Sequence, residues 1–62
     1  MKIYIKTNDK RILDYFNTQY DDVMLFSIKE FDTMLIRLGY EAGENKIIDL
    51  NTNKIVGVFD IN

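Results

Sequence analysis

Cysteine, histidine, proline and tryptophan are all absent from this chain, and glycine occurs only three times. Without cysteine there is no disulfide to brace a small core, no thiolate nucleophile and no Cys-ligated metal. Without histidine, no side chain titrates near neutral pH at its unperturbed value, which removes the commonest general base and metal ligand. An excess of positive charge is missing too. Ten acidic and eight basic residues give a net charge of -2, and no window gathers the Lys/Arg cluster that neutralises a phosphate backbone, so direct nucleic acid binding is not expected. Nor is there a long apolar run. The opening MKIYIKTNDK is interrupted by Lys6, so it reads as neither secretory signal nor membrane span, and a cytoplasmic location is expected.

What is present is apolar material for its size. Hydrophobic residues are 47% of the 62 and aromatics 13%, well outside the low-hydrophobicity, high-charge profile of disordered segments. Residues 1–62 read as a single domain, because no Pro-, Gly- or Ser-rich tract separates two units and no internal repeat is visible. A domain of this size buries roughly 60% of the surface its unfolded chain exposes, which leaves a thin core. Nine isoleucines, six lysines and six asparagines suggest an AT-rich coding sequence of the kind common in low-GC bacteria and their phages.

The pattern predicts an α+β fold. In KIYIK, Ile3 and Ile5 alternate with Lys2, Tyr4 and Lys6, which predicts a strand over 2–6 with one face on a core. Asn8 or Asp9 then caps a helix over about 9–20, on which Ile12, Leu13, Phe16 and Tyr20 recur at helical spacing. Met24, Ile28, Phe31, Leu35 and Leu38 continue at alternating intervals of four and three, which predicts a second helix over 28–38. Ser27 with Glu30 matches a capping box, and Gly39 followed by Tyr40 matches a left-handed helix stop with an apolar residue packing back. The run VMLF, residues 23–26, suits either strand or helix, and a rival reading makes DVMLFSIK and TMLIRLGY two strands of a meander. After a polar loop, EAGEN, the runs KIIDL and KIVGVFDI alternate around NTN. They predict a hairpin, 46–50 with 54–60, in a small, mainly antiparallel sheet whose one face both helices cover.

Register decides what that sheet shows to solvent. An even-length loop, Thr52-Asn53 or Asn51 to Lys54, sets Leu50 opposite Ile55 and Ile48 opposite Gly57. That puts Ile48, Leu50, Ile55 and Phe59 on the core side with Ile3 and Ile5. Ile47, Asp49, Val56 and Val58 then join Tyr4 on the other side.

One stretch resembles a metal site. DLNTNKIVGVFD, residues 49–60, carries acceptor side chains at its first, third, fifth and twelfth positions, as a calcium loop does. Yet such a loop needs glycine at the sixth position, where Lys54 stands, and helices on both sides. In an extended strand Asp60 lies roughly 20 Å from Lys54, too far to close on the same ion. A turn between strands is the expected reading, with Asn51 and Asn53 chosen for their tolerance of left-handed backbone. GYEAGE around Gly39 and Gly43 lacks the Lys-Ser/Thr of a phosphate cradle. Asp21 and Asp22 read as a cap or turn. No catalytic group, metal ligand or cofactor site is expected, and an enzyme is disfavoured.

Binding remains. An outer face carrying Tyr4, Ile47, Val56 and Val58 is apolar and uncovered, and such a patch should meet another protein or a second copy of the chain unless the stems of Lys2, Lys6, Lys46 and Lys54 cover it. The leading expectation is a non-enzymatic module that binds and blocks a larger protein, as phage-type inhibitors of host nucleic acid or defence enzymes do. In that case Asp21, Asp22, Glu41 and Glu44 are candidates to imitate phosphates toward a basic cleft. GENKIIDL resembles a strand of the phage uracil-DNA glycosylase inhibitors over eight residues, and no site residue follows from it. The alternative is a homo-oligomeric structural or accessory subunit that self-associates through the outer sheet face.

Overall fold

The computed structural model describes residues 2–16, 22–24 and 27–61. In chain order they form β1 (Lys2–Thr7), α1 (Lys10–Phe16), β2 (Asp22–Met24), α2 (Ile28–Leu38), β3 (Tyr40–Ala42), β4 (Lys46–Asp49) and β5 (Ile55–Ile61). The strands make one five-stranded sheet in the order β2-β1-β5-β4-β3, with every neighbouring pair antiparallel. Ile12 of α1 joins Phe31 and Leu35 of α2 in a core with Ile3, Ile5, Ile47 and Phe59 from the sheet. The expected α+β architecture is therefore present, with both helices on one face. No described helix is long and apolar enough to cross a membrane.

Local chemistry explains the helix ends. The Asp9 carboxylate accepts the amides of Arg11 at 2.9 Å and Ile12 at 3.4 Å, which caps α1. Residues 17–20, the expected continuation of this helix, lie outside the described residues. The Ser27 hydroxyl accepts the Glu30 amide at 3.1 Å at the start of α2. Gly39 ends α2 in the left-handed region, at φ 95°, and its amide donates to the Ile36 carbonyl. The meander reading fails here, because TMLIRL is helix. Val23 and Met24 take the strand option, while Leu25 and Phe26 lie outside the described residues.

One strand was not expected. Gly39 turns the chain so that Tyr40 enters β3 beside β4, where a polar loop was foreseen. The Asp32 carboxylate of α2 accepts the Ala42 amide at 2.9 Å, which occupies a donor on this edge strand and blunts it against further pairing. Tyr40 itself turns inward, only 3% exposed.

The hairpin register differs from expectation by one residue at Ile47 and by two at Ile48, and the difference matters. Asp49 begins the turn early: its carboxylate accepts the Asn51 amide at 2.8 Å and its amide donates to Lys54, while Asn53 takes a left-handed φ of 62°. Leu50 to Asn53 are thus the loop, and the turn reading of DLNTN holds. Ile48 then faces Ile55, but Ile47 faces Gly57. Val56 is an extra residue, a β-bulge. Its carbonyl accepts the Thr7 hydroxyl at 2.6 Å.

The bulge reverses the faces of β4. Ile47, expected outside, is 0% exposed in the core. Ile48, expected inside, is half-buried on the outer side. Val56 is likewise half-buried and packs against the core cluster, whereas Leu50 and Ile55 are exposed. Ile47 and Ile48 exchange sides because a strand's period is two and the pairing is displaced, whereas Leu50 is exposed as part of the loop.

Candidate functional site: the open sheet face

The face turned away from the helices is the surface that stands out. Pairing places its residues in rows across the strands. Lys6 of β1 faces Val58 of β5, which faces Lys46 of β4. One row toward β2, Tyr4 faces Asp60. One row the other way, Ile55 faces Ile48, which faces Glu41 of β3. Tyr4 is 39% exposed, Val58 44% and Ile55 58%. An apolar strip therefore follows the strands for three rows, about 13 Å at ~6.6 Å per pair of residues.

Charge frames this strip. Lysines stand on both sides of Val58, the Lys2 ammonium lies 5.9 Å from the centre of the Tyr4 ring, and Asp60 and Glu41 occupy the flanking rows. Two shallow concavities meet at Lys6 and Val58. One, of about 410 Å³, lies beside Ile55 and Gly57. The other, of about 250 Å³, lies beside Tyr4 and Asp60.

Of the residues expected at a partner surface, the structure brings together Tyr4 and Val58, and adds Glu41 at the margin. It removes Ile47 to the core and half-buries Val56. Ile48, Ile55, Lys6 and Lys46 take their place. The acidic residues are not gathered. Asp22 belongs to β2 and Glu41 to β3, the opposite edges of the sheet, about 19 Å apart at four strand spacings of ~4.8 Å. Glu44 lies exposed between β3 and β4, and Asp21 lies outside the described residues. Among the described residues, Asp22, Glu41 and Glu44 do not fall on one row or edge of the sheet.

Away from this face, Asp9, Arg11 and Tyr40 do structural work. Tyr40 donates its hydroxyl to Asp9 at 2.6 Å, and the Arg11 guanidinium, 5.6 Å from the Tyr40 ring centre, donates to the Leu38 carbonyl at the end of α2. The bond to Asp9, then burial and the Asp9 charge, raise the Tyr40 phenol above its ordinary pKa, against the opposing effect of Arg11. This knot ties α1, α2 and β3 together. Among the described residues, no three Asp or Glu side chains converge as a metal site would require. No family model matches the chain, and no curated protein or solved structure matches it either.

Proposed function

We propose that the protein is a non-enzymatic binding module that docks its open sheet face on another protein and so regulates or blocks it. The observation that carries this reading is the strip of Tyr4, Val58 and Ile55, apolar side chains held on a rigid sheet with no element of the described chain across them. Apolar surface on a rigid platform with a charged margin is the usual anatomy of an interface. A 62-residue chain without histidine or cysteine acts most readily by occupying a surface. The second reading, self-association through the same strip, rests on the same residues.

Sedimentation at micromolar concentration and affinity capture separate the two. Wild-type protein should sediment as one chain and retain a specific protein from its native lysate, and Val58→Lys, at an exposed position, should lose that protein while remaining folded. Retention indifferent to Val58→Lys would overturn docking through this face. A stable dimer that Val58→Lys dissociates would favour the homo-oligomer.

A further inference from the structure

We propose that the row Lys6–Val58–Lys46 selects an acidic partner: a protein segment that crosses the strands of the open face and sets an apolar side chain on Val58 between two carboxylates. This rests on the docking reading above and adds the chemistry of what docks. A chain of net charge -2 nonetheless puts lysines on both sides of the central apolar residue of this face. They flank Val58 at one strand spacing each, so their backbones stand about 10 Å apart. Asp60 and Glu41 occupy the rows on either side, so the middle row, with two lysines and no carboxylate, is the most favourable place on β5 for an anion. That placement gives the direction. Carboxylates strung along β5 would meet Asp60, whereas carboxylates placed across β5 would meet only Lys6 and Lys46. An extended segment presents side chains two residues apart on one face, about 6.6 Å from one to the next, and lysine stems span the remaining mismatch. The fitting pattern is acidic, any, apolar, any, acidic.

The same row argues against the other occupants. Two sheets packed face to face keep their strands within about 30° of one another. A two-fold axis through Val58 then lays Lys6 and Lys46 of one copy against lysines of the second, a like-charge contact at the centre of the interface. A single nucleic acid strand would find one aromatic platform, Tyr4, with Asp60 directly beside it, where its phosphates would be repelled.

Three synthetic peptides of equal length test this on the full chain by backbone amide NMR. In each, a leucine is flanked two residues away on both sides by glutamate, glutamine or lysine, with serines between. The glutamate peptide should shift the amides of Lys6, Val58 and Lys46 with an affinity at least about tenfold above the other two, and the preference should vanish at high salt. Lys6→Glu with Lys46→Glu should transfer the preference to the lysine peptide while the circular dichroism of the fold is unchanged. Equal binding of the glutamine peptide would overturn charge selection and leave docking standing. A preference of the wild-type protein for the lysine peptide would overturn it as well. If no peptide moves these amides at millimolar concentration, the acidic segment is refuted. Docking through the face is then judged separately by the mass and capture experiment with Val58→Lys.

Discussion

Tyr40 shows how much a single side chain must do in a chain of this size. Its ring is buried, its hydroxyl reaches the same Asp9 carboxylate that caps α1, and Arg11 lies near its ring while bonding to the last turn of α2. Tyr40→Phe keeps the ring and removes the bond, and a hydrogen bond to a charged group contributes about 1.5–3 kcal/mol. Urea unfolding at neutral pH should show a loss at the lower end of that range, because Asp9 is only partly buried and can turn to water. The alkaline limb supplies the independent check. The phenol's pKa is raised in the folded state above its ordinary value of 10.0, so its contribution is complete below about pH 10 and is lost as pH rises through the folded value. The wild-type protein should therefore lose stability above pH 10 more steeply than Tyr40→Phe. Equal slopes would mean that the bond to Asp9 does not persist in solution. Tyr40 was legible in the sequence only as an apolar residue behind a helix stop. Its partner stands 31 positions earlier, and no local pattern links the two.

At the scale of elements, what was legible was what neighbours in sequence decide. Both ends of α2 follow from Ser27 with Glu30 and from Gly39, residues within a turn of the groups they satisfy. The start of β1 and its alternation, with Ile3 and Ile5 inside, follow from period alone, as do the opposite faces of Val58 and Phe59 in β5. The register of β4 on β5 did not, because the bulge at Val56 is held by Thr7, 49 positions away, and by the close approach of Thr7 to Gly57. Gly57 has ordinary strand backbone, but a β-carbon there would lie 2.8 Å from the Thr7 β-carbon. Its role is to admit its neighbour. Gly57→Ala should accordingly force β1 and β5 apart, at a cost of about 1–3 kcal/mol, the usual range for overpacking. Thermal unfolding measures the cost. Amide exchange should show faster opening at Lys6, Thr7 and Val58 than at the caps of α2, because the strain is confined to the β1–β5 seam. A neutral or stabilising Gly57→Ala would mean that the two strands are not this close.

For the whole molecule, the consequence of the bulge is the choice of which surface is core and which is offered to a partner, and two consecutive residues test it. Stability for a chain of 62 residues is about 3–9 kcal/mol at the usual 0.05–0.15 per residue. Burying an unpaired ammonium costs several kcal/mol, enough to use up most or all of that margin. Ile47→Lys places such a charge in the buried apolar core and should leave the chain unfolded by far-ultraviolet circular dichroism. Ile48→Lys, one residue on, points its charge to the open face opposite Ile55 and should keep the fold within about 1 kcal/mol of wild type. An unbulged hairpin would exchange the two outcomes. The pair therefore checks the register on which the whole docking surface depends, since only with Ile47 inside does Val58 stand between Lys6 and Lys46 in the middle row. If both substitutions are tolerated, the sheet has no committed inner face, and neither the strip of Tyr4, Val58 and Ile55 nor its lysines would be held in place for a partner.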